Sequence, residues 1–242
     1  MKHLSENKNV IIFTAHPDDH LLSAGTLMQL SDQGYHLIEV VFTGGEKSVW
    51  QGKKSFKALD LKRERLKEWQ KAANLIGIKE RFTLGLLDSQ VKRDLKTVFK
   101  IMKIIRQKKP VLVISHHPND YHHDHNESAK IVSEAVDRSS WGMAPELGAK
   151  HKTPAYLYMD GEFLCQPNLL IDVSQYQKRL SSLYNIYASQ ISPRMKRLLD
   201  SIRQYRGYFN HCELAEGFQI VAEHPFTFVK TKRLNDFLQS LS

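Results

Sequence analysis

The order of apolar segments along the chain constrains the fold more than any other sequence feature. Short runs rich in β-branched residues occupy residues 10–15, 37–43, 81–86 and 111–116, and apolar residues recur every three or four positions after each run. A strand followed by a helix, repeated several times, is typical of α/β proteins with a parallel sheet. The sequence therefore predicts an α/β fold that is Rossmann-like and three-layered, with a mostly parallel sheet.

The rest of the chain continues this pattern. The first helices are predicted to begin near residues 21, 62, 95 and 125, and further strands at 155–160 and 169–173 precede two amphipathic helices. No internal repeat, low-complexity tract or linker interrupts the series, so residues 1–242 are predicted to form a single domain. We expect the long loops 44–58 and 137–153 to shape a pocket. Trp50 and Trp141 in these loops either stack on a ligand or pack within the loops.

Composition limits the location and the partners. The chain has no apolar run of the ~18–20 residues that a membrane span needs, and its N-terminus lacks the apolar core of a secretory signal. Two cysteines, Cys165 and Cys212, make no disulfide framework, so a cytoplasmic location is predicted. The formal net charge is +9, but the basic residues are spread over helices without a binding motif. We therefore predict no nucleic-acid partner and a basic surface that favours an anionic substrate.

Two clusters of ionisable residues follow predicted strands. The first is "HPDDH" at residues 16–20, and the second is "HHPNDYHHDHNES" at residues 116–128, with five of the twelve histidines of the chain. Ligands of open α/β sheets bind beyond the carboxyl ends of the strands. The two clusters are therefore expected to face one site, although they are about a hundred residues apart.

Imidazole and carboxylate groups together are the ligand set of a catalytic zinc ion or a similar divalent ion such as Fe²⁺. Such an ion acidifies water and polarises a carbonyl, and the reaction also needs a carboxylate base and a proton donor. Spacing alone leaves open which of Asp18 and Asp19 binds metal and which faces the water. Other interpretations are that one aspartate caps the following helix, that His116 and His117 only close a strand, and that His123 is a bystander.

The two clusters resemble the motifs of the LmbE-like, or PIG-L, family of metal-dependent N-acetylglucosaminyl deacetylases. The resemblance rests on "AHPDDHLLSAGT" and "HHPNDYHHDHNESAKIV", and it extends to "TGGE", to the helix with Arg65 and Glu68, and to "LGLLDSQV". Weaker likenesses follow at Asp172, at Ser189 with Gln190, and at Glu216.

The resemblance implies a role for each candidate residue. It assigns metal ligation to His16, Asp19 and His125, and makes Asp18 the general base that takes a proton from the attacking water. It makes His122 the group that stabilises the oxyanion or protonates the departing amine, with Asp124 tuning its pKa. It also implies that Arg65 and Asp88 contact the sugar.

One residue departs from the family pattern. The family usually reads HPDDE, and this chain has His20 in place of the glutamate. His20 supports the neighbouring ligand and loop differently from a carboxylate, or adds a further metal ligand.

The predicted function is therefore zinc-dependent removal of the N-acetyl group from an amino-sugar conjugate of the N-acetylglucosamine type, which releases acetate and a free amine. The partner is a small-molecule amino sugar, and the family likeness also predicts self-association into a homo-oligomer. The alternatives are an amidase acting on a non-sugar substrate, a phosphoesterase, and a non-catalytic binding protein stabilised by a metal. An open site with three protein ligands argues against the last of these, because structural zinc sites are usually closed by four.

Overall fold

The structure is a computed structural model, and it describes residues 8–162 and 164–221. Five strands alternate with four helices in the first part of the chain. The strands are β1 (Asn9–Thr14), β2 (His36–Thr43), β3 (Glu80–Leu86), β4 (Leu112–Ser115) and β5 (Ala155–Met159). The helices are α1 (Ala24–Asp32), α2 (Ala58–Ile76), α3 (Leu95–Lys108) and α4 (His123–Ser139). The remaining elements are β6 (Leu169–Asp172), α5 (Gln177–Ile186), α6 (Pro193–Asn210) and β7 (Ala215–Ile220), and short 3₁₀ turns occupy Asp19–Ser23, Pro145–Leu147 and Ser174–Tyr176.

The strands form one sheet in the order β3-β2-β1-β4-β5-β7-β6. Strands β1 to β5 are parallel, and β7 runs antiparallel between β5 and β6. Each parallel crossover carries a helix, which places helices on both faces of the sheet. The predicted α/β, Rossmann-like architecture with a mostly parallel sheet is confirmed.

Alternating residues of the central strands feed two hydrophobic cores. Val10 and Ile12 of β1 pack into the core that includes residues of α1, α2 and α5. Ile11 and Phe13 pack into the core that includes residues of α3 and α4. Because both faces of the strands are covered, the sequence shows continuous apolar runs in place of alternation. The centre of the sheet is therefore rigid, and it positions the loops at its carboxyl edge.

The predicted elements differ from the structure at the starts of α1 and α2 and at β7. Helix α2 begins at Ala58, before its predicted start near residue 62. Helix α1 begins at Ala24, because a 3₁₀ turn at Asp19–Ser23 precedes it. Strand β7 was not predicted, because "AEGFQI" carries a buried charged residue, Glu216. The Glu216 carboxylate accepts hydrogen bonds from the backbone N–H groups of Gly25 and Thr26 at the start of α1, so the strand is tied to that helix terminus.

The loop 137–153 does not shape the pocket, and that prediction was wrong. Its residues, all described, contribute nothing to the lining of the cavity. The buried guanidinium of Arg106 in α3 donates hydrogen bonds to backbone carbonyls of this segment, including those of Trp141 at 2.6 Å and Ala144 at 2.8 Å. Trp141 packs beside Arg138 of α4. The loop is therefore held against α3 and α4.

None of the helices in the described part of the chain is long and apolar enough to cross a bilayer. The ends of the predicted domain 1–242 lie outside the described residues, so its boundaries stay a prediction.

Candidate metal centre and active site

The parallel pairing of β1 with β4 brings the two polar clusters together. Val10 lies opposite Leu112, so both strands end at the same edge of the sheet. The turn that follows β1 carries His16–Asp19, and the loop that follows β4 leads into α4. His122 is the N-cap of α4, where its Nδ1 accepts the backbone N–H of Asp124 at 3.2 Å. The cap fixes the first turn of α4, and that turn carries Asp124 and His125.

His16, Asp19 and His125 are buried together at this edge. His16 Nδ1 lies 3.3 Å from His125 Nε2 and 3.4 Å from an oxygen of Asp19, and His125 Nε2 lies 3.3 Å from the other oxygen. Ligand atoms at two corners of a tetrahedron around a zinc ion lie about 3.3–3.4 Å apart, given Zn–N and Zn–O bonds of about 2.0–2.1 Å. The two nitrogens match this spacing, and the Asp19 carboxylate meets each of them with a different oxygen, so the three side chains offer donors for one small divalent cation. We call them the His–Asp cluster.

Carboxylates lie behind both imidazoles of the cluster. The outer nitrogen of His16, Nε2, is 3.3 Å from Asp124 and 3.5 Å from Asp88. The outer nitrogen of His125, Nδ1, is 3.3 Å from Asp120. A carboxylate at this position orients a metal-binding histidine and raises its basicity. Each histidine thus turns one nitrogen toward the cluster and the other toward a carboxylate.

These contacts bear on two predicted roles. The Asp124 carboxylate accepts hydrogen bonds from the backbone N–H groups of Ser89 (2.7 Å) and Val91 (3.2 Å) in addition to its contact with His16, so its contacts favour support of His16 over tuning of His122. Asp88 likewise contacts His16 and accepts the N–H of Lys47 at 2.7 Å. Sequence reasoning missed Asp120, although its position in the same histidine-rich loop as His125 was a usable signal.

The carboxylates shift the pKa values of the cluster. Burial lowers the pKa of His125, but the charge of Asp19 and the contact with Asp120 outweigh burial and raise that pKa to about 9. The pKa of His16 is raised well above its usual value against the same effect of burial, by Asp19, Asp124 and Asp88. The surroundings therefore favour positive charge inside the cluster. A bound cation would satisfy that preference in place of the protons.

His116 belongs to the same group of side chains. Its ring stacks on His125 with centroids 3.8 Å apart, and its Nε2 lies 2.9 Å from an oxygen of Asp19. Burial and the neighbouring charge of His125 lower the pKa of His116 to about 4. His116 is therefore neutral near pH 7 and positions Asp19. His117 and His123 point elsewhere, to Gln219 and to the carbonyl of Val91 respectively.

Asp18 and His122 flank the cluster at the cavity surface. The Asp18 side chain is 20% exposed and forms an ion pair with Arg65. The ring of His122 lies 4.6 Å from that of His125 and 4.8 Å from that of His16, measured between centroids. Burial, together with the charges of His125 and His16, lowers the pKa of His122. A carboxylate and an imidazole thus stand beside the cluster, as acid–base chemistry requires.

Arg65 is held by the loop that follows β2. The guanidinium donates a hydrogen bond to the carbonyl of Gly45 at 2.7 Å and another to Asp18. Gly45 has φ +65°, and a Cβ built on it would lie 2.0 Å from Arg65 Nη1. The second glycine of "TGGE" is therefore required for the approach of the arginine. The structure brings Arg65 to the cavity and directs it toward Asp18.

His20 is not part of the cluster. It is fully buried, with Nδ1 2.8 Å from the Glu39 carboxylate and Nε2 2.8 Å from the Tyr187 hydroxyl. The same hydroxyl donates to the carbonyl of Pro17 at 2.7 Å. Both ring nitrogens are thus occupied outside the cluster, so the interpretation of His20 as an additional metal ligand was wrong.

A cavity of about 420 Å³ opens over the cluster. Its polar end includes Asp18, Arg65 and His122, and the loop after β2 contributes Lys47 and Ser48. The prediction that the loop 44–58 shapes the pocket is confirmed. Trp50 of that loop packs against Phe56 and Lys53.

The fold and the cluster define the class of protein: a doubly wound α/β protein with an open His–Asp centre at the carboxyl edge of its sheet. Residues 11–136 match the model of the PIG-L family, described as GlcNAc-PI de-N-acetylase, and the chain belongs to this family. The predicted resemblance is therefore confirmed, and with it the enzyme class, an N-deacetylase.

The chain is similar to individual deacetylases and also to a hydratase. The diacetylchitobiose deacetylase of Thermococcus kodakarensis is 25% identical over 227 residues, which cover 88% of this chain and 83% of the relative. The structure of N,N'-diacetylchitobiose deacetylase from Pyrococcus horikoshii matches with a TM-score of 0.81 over 92% of this chain and 88% of that chain, at 22% identity. GalB, the 4-carboxy-2-hydroxymuconate hydratase from Pseudomonas putida KT2440, matches with a TM-score of 0.80 over 92% and 100%, at 19% identity. At such identities the two structures establish a shared fold, and a fold alone does not assign chemistry.

Proposed function

We propose that this protein is a zinc-dependent deacetylase that removes the N-acetyl group from an amino sugar of the N-acetylglucosamine type. The observation that carries the proposal is the His–Asp cluster, whose two imidazole nitrogens lie 3.3 Å apart and each 3.3–3.4 Å from an oxygen of Asp19, beside Asp18 and His122 in one cavity. The description of the family as a GlcNAc-PI de-N-acetylase and the similarity to a diacetylchitobiose deacetylase of Thermococcus support the substrate class.

The cluster suits zinc in the type and number of its donors. Two imidazole nitrogens and a carboxylate form a three-ligand set of the kind found in catalytic zinc sites, with His16 Nδ1, His125 Nε2 and Asp19 as the ligands. A bound divalent ion would supply Lewis acidity that polarises the amide carbonyl and lowers the pKa of a water. Fe²⁺ accepts the same donors, so zinc and iron are both included in the tests.

Asp18 is the general base of the proposed reaction. Its carboxylate faces the cavity beside the cluster, where it accepts a proton from the water that attacks the acetamide carbonyl. Arg65 fixes the orientation of this carboxylate through their ion pair. The arginine therefore acts on the base, and its predicted contact with the sugar stays a prediction.

His122 is the proton donor of the proposed reaction. The ring lines the cavity between the cluster and the solvent, within reach of an oxyanion or of the departing nitrogen. Its pKa is lowered by burial and by neighbouring positive charge. A donor with a lowered pKa releases its proton readily to the amine as the C–N bond breaks. Loss of that proton completes the release of acetate and the free amine.

Asp88 and Asp124 support the cluster in this scheme. Both carboxylates face His16 Nε2. Asp88 also lines the cavity, so its predicted contact with the sugar stays a prediction beside this supporting role. A cytoplasmic location and self-association also stay predictions.

The proposal is tested with zinc-loaded and iron-loaded protein incubated with a panel of N-acetylated sugars, in which free amine and acetate are measured together. We expect equimolar acetate and amine from at least one N-acetylglucosamine derivative. The Asp18→Asn variant should retain metal and lose about 10²–10⁴-fold in turnover, the usual contribution of a general base. Full activity in metal-replete Asp18→Asn, or no acetate from any sugar, would contradict the proposal.

A further inference from the structure

The cavity has a second, apolar end. Helix α6 contributes four apolar side chains to its wall at spacings of three and four residues, which place them on one face of the helix. These are Met195, Leu198, Leu199 and Ile202. The wall therefore continues along more than one turn of the helix.

The opposite wall is also apolar and begins beside the metal ligands. Leu21 and Leu22 belong to the 3₁₀ turn that starts at Asp19, and both line the cavity. Ile191, just before α6, and Val49, from the loop after β2, complete this end. A group bound at the cluster is thus followed by a hydrocarbon surface on both sides.

The apolar side chains of this end differ in exposure. Leu21 and Leu199 are nearly buried, with exposed fractions of 3% and 6%, and form the floor. Leu198 is 50% exposed and Val49 67%, and these two lie at the mouth. When a ligand covers apolar side chains that are open to water inside a concave site, the removal of their surface from water favours binding.

Hydrogen bonds hold the two loops of this end together. The Gln190 side chain donates to the Val49 carbonyl at 3.0 Å and accepts from the Ser48 hydroxyl at 2.8 Å. Ser189, one residue earlier, donates its N–H and its hydroxyl to the buried carboxylate of Glu68 on α2, at 2.8 Å and 2.5 Å. The apolar end is thus formed before a ligand binds, so little ordering free energy is lost on binding.

We propose that the substrate carries an aliphatic or aromatic substituent on the amino sugar and that this substituent occupies the apolar end of the cavity. This inference rests on the proposed deacetylase function. A second sugar unit would place hydroxyls against these apolar side chains, which is unfavourable. The neighbouring polar side chains Ser48, Gln190 and Ser192 already have hydrogen-bond partners within the protein.

Of the two cationic residues of the lining, Arg65 binds Asp18 through its guanidinium, and Lys47 donates its backbone N–H to Asp88. The lining residues of α6 are all apolar, so an anionic substituent would find no partner on the α6 wall.

The test compares zinc-loaded wild-type protein on N-acetylglucosamine methyl glycoside, its octyl and phenyl glycosides, and N-octanoylglucosamine methyl glycoside, with free amine as the readout. The glycosides and the N-acyl substrate distinguish the two positions from which the substituent could extend. Each buried methylene contributes roughly fourfold in affinity. We expect kcat/KM at least tenfold higher for one of the substituted substrates than for the methyl glycoside, mainly through a lower KM.

A matched pair of variants on α6 links the preference to this wall. Leu198→Gln replaces a half-exposed side chain of the wall and should reduce the octyl-to-methyl ratio of kcat/KM about tenfold. Tyr208→Gln changes a residue of the same helix that is 77% exposed and does not line the cavity, and it should keep the wild-type ratio.

Equal kcat/KM for all four substrates, or an unchanged ratio in Leu198→Gln, overturns the inference while leaving the deacetylase function intact. If no substrate releases amine, the proposed function fails, and the apolar end is then judged by calorimetry with the octyl and methyl glycosides. Tighter binding of the octyl glycoside to wild-type protein than to Leu198→Gln would support the apolar site on its own. Equal binding would overturn it.

Discussion

Replacement of Asp124 by asparagine tests the support of the metal ligands directly. The carboxylate is fully buried and has three partners: His16 Nε2 at 3.3 Å, and the N–H groups of Ser89 and Val91 at 2.7 and 3.2 Å. Asparagine has nearly the same shape, but it offers one acceptor oxygen and no charge. If that oxygen serves Ser89 and His16, the NH₂ group faces the N–H of Val91 and leaves it without an acceptor.

The substitution should reduce both the folding free energy and the metal affinity. An unpaired buried N–H costs about 1–3 kcal/mol of folding free energy. Loss of a carboxylate behind a metal-bound histidine typically reduces metal affinity 10–100-fold, which is about 1.4–2.7 kcal/mol. Because Asp88 remains 3.5 Å from the same nitrogen, we expect the lower part of that range, about tenfold.

The assay is a competition titration of zinc against a chelator, combined with thermal unfolding of the metal-free protein. Asp94→Asn is the matched control, because Asp94 caps α3 by accepting the N–H of Thr97 at 2.8 Å and lies on the exposed surface. Because asparagine caps a helix about as well as aspartate does, this variant should change stability by at most a few tenths of a kcal/mol and leave zinc affinity unchanged. If the Asp124→Asn variant had lowered stability but wild-type zinc affinity, Asp124 would only anchor the loop with Ser89 and Val91. The reasoning that Asp124 supports His16 in metal binding would then be refuted.

The remaining predictions concern protonation, the buried histidine and the glycine turn. The pKa of His125 in the metal-free fold is about 9, above its unfolded value of about 6.5, so its stabilising effect is complete below pH 6.5 and is lost as the pH rises through 9. The melting temperature of the metal-free protein should fall across this window. If the melting temperature of the His125→Asn variant fell equally steeply with pH, the argument would be contradicted. His20→Glu would place a second carboxylate against buried Glu39 and cost about 3–5 kcal/mol; denaturant unfolding should show this loss, and adding Glu39→Gln should restore most of it. Gly45→Ala should displace Arg65 and reduce turnover about tenfold or more with unchanged zinc content; wild-type turnover would show that the arginine does not orient the base.

The features of the fold and site that could be predicted depend on local pattern and on sheet geometry. The strand β1 and the strand β4 are apolar runs with polar exits, and parallel pairing brings those exits to one edge. The convergence of His16 with His125 followed from this rule, without knowledge of any distance. The family resemblance then separated the roles of Asp18 and Asp19, which spacing had left open. Those roles are still to be tested by substitution.

The features that escaped prediction depend on contacts between distant segments. The partner of His20 is Glu39, in the middle of β2, and nothing in the spacing of either residue indicates the pair. Arg106 holds the loop 137–153 through backbone carbonyls, which carry no side-chain signature. Strand β7 is an antiparallel insertion into an otherwise parallel series. Helical or strand periodicity reports which face of an element is buried, and it does not report what that face contacts.

The histidine at position 20 illustrates how a change beside a proposed metal ligand can leave the His–Asp cluster intact. Its ring is directed away from the His–Asp cluster, into a buried polar group with Glu39 and Tyr187. Trp69 donates its indole N–H to the second oxygen of Glu39 at 2.5 Å, so the carboxylate is satisfied without any contribution from the cluster. The Tyr187 hydroxyl also binds the carbonyl of Pro17, which lies between His16 and Asp18. His20 therefore acts on the shape of the turn that presents the ligands. The residue type at this position can change as long as its partner on β2 is complementary to it.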